Sequence, residues 1–184
     1  MRTHVALLRG INVGGNNLVK MGDLRQLFVD LGLEEPATLL QSGNVAFRSA
    51  KSAPELEQIL SKETSASLKV NVEYFVRTAD EWGQAIAANP FLDASTSDPS
   101  HLLLICLREE PDRAAVKQVQ DEWQGPERVG ASGRHLYAIY PEGIGPSKLT
   151  TFPAWKKLAG GGTGRNWNTV LKLRALLDDL GNGA

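Results

Sequence analysis

The spacing of apolar residues along the chain changes repeatedly between two patterns, and these changes predict a mixture of strands and helices. Residues 5–8 and 102–107 are short apolar runs of strand length. Within residues 21–31, apolar side chains instead recur at three- and four-residue intervals, which places them on one face of a helix: Leu24, Leu27, Phe28 and Leu31. The pattern therefore predicts an α+β fold.

The predicted elements follow a similar order in both halves of the chain. The first half is expected to contain a strand, a helix, two strands joined as a hairpin, a helix, a strand and a further helix, at residues 3–9, 21–31, 37–41, 44–48, 54 onward, 70–77 and 79–88. The second half is expected to contain a strand, a helix, two strands and two helices, at residues 101–108, 111–123, 127–131, 134–140, 147 onward and 167–180. The shared order, βαββα with or without a closing strand, predicts two ferredoxin-like units, each with an antiparallel or mixed sheet and helices on one face.

The boundary between the two units is predicted from a change in composition. Residues 89–99 are rich in turn-forming residues, and Pro90 is expected to end the preceding helix. We therefore expect an N-terminal α+β unit over residues 1–92, a linker over residues 93–99 and a C-terminal α+β unit over residues 100–184.

Composition and charge add one local feature. The 184 residues are 42% apolar, enough to form a core, and the formal net charge of −1 gives no global attraction to nucleic acid or membrane. Residues 143–174, however, contain no carboxylate and six basic residues: Lys148, Lys156, Lys157, Arg165, Lys172 and Arg174. Such a stretch would attract an anion, although a solvated helix face also accounts for runs of this kind.

The same sequence indicates a cytoplasmic protein. Its one cysteine, Cys106, cannot form an internal disulfide, and residues 1–8 lack the features of a secretory signal. No apolar run approaches the roughly 20 residues that span a bilayer, so no membrane segment is expected. Because His4, His101 and His135 have no carboxylate at ligand spacing, we expect no metal site and no cofactor. The oligomeric state is left open.

Residues 9–17 form a Gly- and Asn-rich segment after the first strand. The segment is either a tight loop that needs positive φ angles or a ligand-binding loop in which Arg9 and Asn12 add donors to backbone amides. Its glycines have P-loop spacing, but Asn16 and Asn17 stand where a P-loop has Lys and Ser or Thr, so that motif is excluded. The ligand-binding interpretation involves five residues: Arg9, Asn12, Gly14, Gly15 and Asn16.

Residues 41–44, Gln-Ser-Gly-Asn, lie in the predicted hairpin. A tight turn accounts for them, and the alternative is that Ser42 and Asn44 bind a ligand. An RNA-recognition fold would carry its main base-stacking motif on the third strand, which is predicted here at residues 44–48. The only aromatic residue of that strand is Phe47, and the first strand has none. Base stacking on this sheet is therefore not expected.

Residues 143–150 form a Gly-rich turn before a helix that Ser147 is expected to cap. The turn is either a helix start or part of a site in which Ser147 and Lys148 bind or react with a ligand. Since the two residues are adjacent, the Ser-x-x-Lys spacing of an acyl-enzyme nucleophile is excluded.

Residues 160–169 carry the most specific pattern, a glycine-rich loop that enters the last helix with Asn166 as its expected N-cap. Backbone amides at a helix N-terminus carry partial positive charge and, together with Arg165, would form an anion site. Trp167 is expected to pack in the core. The candidate ligand-binding residues here are Arg165, Asn166, Asn168 and Thr169.

Seven groups of residues, spread over nearly the whole chain, match the pattern of a known family. They are Arg9-Gly-Ile-Asn-Val-Gly-Gly15, Met21 with Asp23-Leu24, Gln41-Ser-Gly-Asn-Val45 with Phe47, Tyr140-Pro with Gly143-Ile-Gly145, Ser147-Lys-Leu149, Arg165-Asn-Trp-Asn-Thr-Val170 and Lys172-Leu173. In these motifs the chain resembles the bacterial family catalogued as domain of unknown function 1697. The resemblance implies a cytosolic bacterial protein of paired α+β units with no established activity.

Three hypotheses for the function follow. The leading one is a protein that binds a phosphate-bearing or other anionic ligand, including a nucleotide or a nucleic acid, in one cleft built from the four segments. The alternative is an enzyme that acts on such a ligand through Lys148 or Ser147. The third, a structural or protein-interaction module, predicts an exposed apolar patch.

Overall fold

A computed structural model describes residues 1–14 and 17–182 of the chain. The chain divides into two compact units: unit 1 comprises Met1–Gly83 and Lys172–Ala184, and unit 2 comprises Gln84–Leu171. No helix within the described ranges combines the length and the apolar character that crossing a membrane requires.

Unit 1 has the order βαββαβ. Its elements are β1 (Arg2–Leu8), α1 (Met21–Asp30), β2 (Glu34–Leu39), β3 (Asn44–Ser49), α2 (Ala53–Leu68) and β4 (Tyr74–Thr78). The strands form one antiparallel sheet in the order β2-β3-β1-β4. Alternate strand residues point to the same face, so Ala6, Phe47 and Val76 lie in one core with residues of α1 and α2 such as Phe28 and Leu60.

Unit 2 repeats this order after two helices, α3 (Ala79–Ala87), which crosses the division between the units, and α4 (Leu92–Ser97). Its further elements are β5 (Leu102–Cys106), α5 (Arg113–Glu122), β6 (Arg128–Ser132), β7 (His135–Ile139), a 3-10 helix (Leu149–Thr151), α6 (Pro153–Ala159) and β8 (Thr163–Asn166). The strands form a second antiparallel sheet in the order β6-β7-β5-β8. The last helix, α7 (Trp167–Asn182), also crosses the division. The predicted fold class, α+β with two ferredoxin-like units, is confirmed.

The central strands of both sheets are buried on both faces. In unit 1, Val5 and Leu7 of β1 are fully buried although they point away from the core that contains Ala6. In unit 2, Leu104 of β5 is fully buried on the face opposite to Ile105. A strand covered on both faces needs apolar residues at every position. This explains why both strands occur as continuous apolar runs without polar alternation.

Two predictions about the second half were wrong. The glycine-rich loop expected before the last helix contains strand β8, which pairs with β5 and completes the βαββαβ order of unit 2. The pattern concealed it because the strand has four residues and no apolar alternation. The helix expected from Ser147 is replaced by the 3-10 helix, and α6 begins only at Pro153, since the residue before a proline is disfavoured in a helix.

The segment predicted as a linker, residues 93–99, instead contains most of α4. Its turn-forming side chains bond to the carbonyl groups of the preceding turn: Ser95 Oγ and Thr96 Oγ1 donate to Leu92 O, and Ser97 Oγ donates to Asp93 O. Hydroxyl side chains that satisfy backbone carbonyls in this way are compatible with a short helix. The prediction of an N-terminal α+β unit over residues 1–92 and a C-terminal α+β unit over residues 100–184 stays a prediction.

Candidate functional site

The first two candidate segments contact each other in unit 1 through Asn12. Its Nδ2 donates to the carbonyl oxygens of Val19 (3.0 Å) and Gln41 (2.7 Å), and its Oδ1 accepts from Val19 N (2.9 Å). The residue adopts a left-handed backbone with φ of +54°, which asparagine tolerates better than most residues. Both ends of the amide are therefore engaged, and the bond from Nδ2 to Gln41 O joins the two loops.

The Gln-Ser-Gly-Asn turn is held in the same way. Asn44 is fully buried, and its Nδ2 donates to Leu39 O (2.8 Å) and Ser42 Oγ (3.0 Å). Gly43 has φ of +73°, and a Cβ placed there would lie 2.5 Å from Ile11 Cδ1. Only glycine fits this position without displacing its neighbours.

Four further residues of unit 1 were predicted to bind a ligand. Arg9 forms an ion pair with Glu73 at 2.5 Å, and its side chain is 40% exposed. Gly14 is exposed with φ of +60°. Gly15 and Asn16 lie outside the described residues. Among the described candidates of unit 1, the amides of Asn12 and Asn44 thus bond to nearby backbone groups, and Arg9 has an ion pair.

The fourth segment is largely internal to unit 2. Arg165 lies on β8 and is buried; its Nη1 donates to Thr163 Oγ1 (2.9 Å) and Gly164 O (2.8 Å). Burial lowers the pKa of Arg165 to about 10, so the guanidinium stays cationic at neutral pH. The expected position of Arg165 in a loop at the helix N-terminus is therefore corrected to a buried strand position.

The start of α7 agrees with its prediction. Asn166 Oδ1 accepts from Asn168 N at 3.0 Å, so Asn166 is the N-cap, and Asn166 Nδ2 donates to Ser100 O. Trp167 is 3% exposed and packs in the interior as expected, and Thr169 is also buried. Asn168 is the exposed member of the predicted group.

The third segment lines a cleft in unit 2 with a volume of about 420 Å³. The polar and aromatic side chains around it are Trp123, Gln124, Glu127, Glu142, Ser147 and Lys148. Ser147 Oγ donates to Glu127 Oε1, and Trp123 Nε1 donates to Glu127 Oε2 at 3.0 Å. One oxygen of the Glu127 carboxylate thus joins the two loops that form the cleft, and the other holds the indole of its own loop.

The indole of Trp123 is fixed on several sides. Beside its bond to Glu127, its ring lies 5.3 Å from the ring of Phe152. Gly125 lies against the same indole, since a Cβ on this glycine would overlap Trp123 Cζ2. Trp82, Trp155 and Trp167 are buried, whereas Trp123 is partly exposed in the described structure. The cleft therefore has a preorganised aromatic wall.

Two charged side chains at this cleft have no partner within the part of the chain that the structure describes. Lys148 and Glu142 are both exposed, and neither side chain forms a hydrogen bond or an ion pair there. The cleft thus combines an ammonium group with carboxylates, although residues 143–174 contain only basic charges. Residues 1–14 and 17–182 contain no group of three or more His, Cys, Asp or Glu side chains suited to a metal ion.

The sequence interpretation identified Ser147 and Lys148 but missed Trp123, Glu127 and Glu142. Trp123 was predicted at the end of a helix and Glu127 at the start of a strand, which is close to their places beside α5 and β6. The signal that points to them is the short Gly125-Pro126 turn, which brings the tryptophan and the glutamate that flank it together.

Comparisons with known proteins show the family and the fold. Residues 1–137 match the model of a family described as a protein of unknown function (DUF1697). A similar solved structure is that of the conserved bacterial protein SP0830 from Streptococcus pneumoniae, with a TM-score of 0.74 and 23% sequence identity. The likeness covers 96% of this chain and 98% of that chain, and at this identity it shows the fold alone. Comparison with curated proteins finds no match. Because the family match covers well over half of its residues, the chain belongs to the DUF1697 family.

Proposed function

We propose that the cleft of unit 2 binds a small organic ligand that carries a phosphate or carboxylate group. The observation that carries this proposal is the ammonium group of Lys148, which borders the cleft of about 420 Å³ and has no partner among the described residues. An unpaired ammonium at a concave surface attracts an anion, and the cleft volume lies in the usual range for small ligands. A partner from the ligand would complete its contacts.

Two features of the cleft support a small ligand. Glu127 bonds to both Ser147 and Trp123, so the loop that carries Lys148 is connected to the loop of residues 123–127 before a ligand arrives. The partly exposed indole of Trp123 provides an apolar wall for the uncharged part of the ligand. A fixed wall lowers the entropy cost of binding.

The wider set of predicted ligand-binding residues stays a prediction. Asn12 and Asn44 have their amide groups engaged by neighbouring loops, and Arg165 is buried on β8. The present proposal therefore relies on Ser147 and Lys148 from that set.

Thermal-shift and calorimetric titrations with the full chain test the proposal. We expect saturable binding of a simple organic phosphate such as ethyl phosphate, weakened about tenfold or more in Lys148→Ala because a charge-assisted bond is lost. Lys157→Ala is the matched control, since Lys157 is an exposed lysine of α6 outside the cleft. Absence of binding, or equal weakening in both variants, contradicts the proposal.

One contact favours a second candidate, an enzyme that acts on the bound ligand. Ser147 Oγ donates to the carboxylate of Glu127, an arrangement in which the carboxylate could accept the hydroxyl proton. Ser147 Oγ also accepts from Leu149 N at 3.1 Å, a local bond from a serine side chain to the backbone that needs no catalytic role. Turnover of a phosphate ester by the wild type that Ser147→Ala abolishes, while binding persists, would favour the enzyme over the binding protein.

A further inference from the structure

We infer that the ligand of this cleft is zwitterionic and carries a cationic amine together with its anionic group. The inference rests on the proposed function, because it concerns the same cleft in unit 2. It goes further because it assigns to Glu142 a contact with a cationic group of the ligand. This second contact defines the chemical class of the ligand.

Glu142 and Lys148 have opposite charges at the border of one cleft. Both side chains are exposed, and within the described ranges neither forms an ion pair, either with the other or with a third residue. Each therefore retains its full capacity for a contact with a ligand. A molecule with one anionic and one cationic group would pair with both.

Glu127, the other carboxylate at the cleft, differs from Glu142 in this respect. One of its oxygens accepts from Trp123 Nε1 and the other from Ser147 Oγ. These bonds use its carboxylate to hold the loops together. Glu142 is consequently the carboxylate of the cleft whose oxygens remain available to a ligand amine.

The charge balance argues against a ligand with anionic groups alone. Glu127, Glu142 and Lys148 together contribute two negative charges and one positive charge at neutral pH. A polyanion such as a nucleic-acid backbone would gain one favourable contact with Lys148 and face repulsion from Glu142. In a zwitterion, an attraction between its cationic group and Glu142 takes the place of that repulsion. A zwitterion should therefore bind more tightly than the corresponding anion without the amine, and the difference in affinity should depend on Glu142.

A matched pair of ligands isolates the predicted contact. Phosphoethanolamine and ethyl phosphate share a phosphate and a two-carbon chain, and only the former carries an ammonium group. We would measure the dissociation constants of both by calorimetry at neutral pH and moderate salt, using the full chain. The proteins compared are the wild type, Glu142→Gln, Lys148→Ala and the control Glu109→Gln, in which an exposed glutamate outside the cleft is neutralised.

We expect the wild type and Glu109→Gln to bind phosphoethanolamine about tenfold more tightly than ethyl phosphate, as one exposed charge-assisted contact predicts. Glu142→Gln should remove this preference without weakening ethyl phosphate. Lys148→Ala should weaken both ligands. Because the replaced side chains are exposed, unchanged melting temperatures will show that each variant is folded.

The outcomes separate the two proposals. Ethyl phosphate binding that depends on Lys148, with no preference for phosphoethanolamine, overturns the zwitterionic ligand and leaves the proposed function intact. A preference that persists in Glu142→Gln overturns the assignment of the ammonium contact to Glu142 and leaves the proposed function intact. Failure of both ligands to bind overturns both proposals. An oligonucleotide that binds more tightly than phosphoethanolamine, with a steep salt dependence, would indicate a nucleic-acid partner and overturn the zwitterion.

Discussion

The loop pair of unit 1 and the cleft of unit 2 are both built from loops that contain Gly and Ser, but their polar side chains have different roles. In the loop pair, formed by residues 9–19 and 40–44, Asn12 bonds to backbone groups of both loops and Asn44 to the carbonyl group of Leu39, at the end of β2. In the cleft, Glu127 holds the frame while Lys148 and Glu142 keep unpartnered side chains in the described structure. The two asparagine amides of the first region are engaged by nearby backbone groups, whereas two charged side chains of the second region have no partner among the described residues.

The comparison shows why Gly-, Asn- and Ser-rich segments are ambiguous in a sequence. These residues supply positive φ angles and local hydrogen bonds whether or not a ligand is present. The two regions differ in how many polar side chains lack a hydrogen-bond or ion-pair partner once the local backbone groups have theirs. Substitutions in the loop pair should therefore change stability, and substitutions at the cleft should change binding.

The largest expected effect is that of Gly43→Ala in the loop pair. The substitution places a Cβ 2.5 Å from Ile11 Cδ1 and 2.8 Å from Leu8 Cβ, at a residue with φ of +73°. Left-handed strain costs about 1–2 kcal/mol and overpacking about 1–3 kcal/mol, so we expect the free energy of unfolding in urea to fall by about 3 kcal/mol.

Gly14→Ala is the matched control for this prediction. Gly14 also has a left-handed backbone, with φ of +60°, but a Cβ there would meet no atom within 4 Å. Its loss should be limited to the backbone strain of about 1–2 kcal/mol. Equal losses in the two variants would show that the close packing of the turn against Ile11 is unimportant.

The next effect is that of Asn12→Ala, which removes two hydrogen bonds to Val19 within the first loop and one to Gln41 O of the second loop. At about 1 kcal/mol for each bond, with partial replacement by water, the free energy of unfolding should decrease by about 2 kcal/mol. Asn168→Ala is the control, because the Asn168 side chain is exposed and has no partner in the described structure. A loss below about 0.5 kcal/mol for Asn12→Ala would show that the hydrogen bonds of Asn12 do not hold the loop pair together.

Much of the fold could be predicted from the sequence because the apolar pattern is strong where both faces of a strand are buried. β1 and β5 were recognised as continuous apolar runs, and Trp167 was recognised as a core residue at the start of α7. β8 was missed because its Thr-Gly-Arg-Asn sequence contains no apolar residue. Its position depends on pairing with β5, which is a long-range contact.

The candidate site was less predictable for a similar reason. Ser147 and Lys148 are adjacent in sequence and were identified, whereas Trp123 and Glu127 come from a distant loop and Glu142 from just before the basic stretch. A charge count along residues 143–174 indicated a basic site. Folding brings two carboxylates to the same cleft, and this changes the expected ligand.

A smaller effect concerns His4, whose Nε2 is a buried polar atom without a hydrogen-bond partner in the described part of unit 1. Its Nδ1 lies 3.1 Å from Arg2 O, and its ring stacks on Phe47. Burial lowers the pKa of His4, while Arg2 O and the charge of Glu81 act in the opposite direction and the charge of Arg2 adds to the lowering. The native state therefore favours neutral His4.

The sign of the pH effect follows from this shift. Below a pH of about 6.5 the unfolded chain binds a proton at His4 that the folded protein resists, so stability should fall with falling pH by at most about 1.4 kcal/mol per unit. Above that pH the contribution should be constant. His4→Phe retains a ring against Phe47, and urea unfolding at several pH values should show a weaker decline for the variant. Identical slopes would mean that His4 does not resist protonation.

The smallest expected effect on stability is that of Lys148→Ala, and it tests the other half of the comparison. Because the Lys148 side chain is exposed and has no partner in the described structure, its removal should change the free energy of unfolding by less than about 0.5 kcal/mol. The same variant should lose about tenfold in affinity for ethyl phosphate. A loss of stability comparable to that of Asn12→Ala would show that Lys148 supports the frame, and the two regions would then not differ in the way proposed. Unchanged stability with weakened binding would show that the cleft, unlike the loop pair, retains its charge for a ligand.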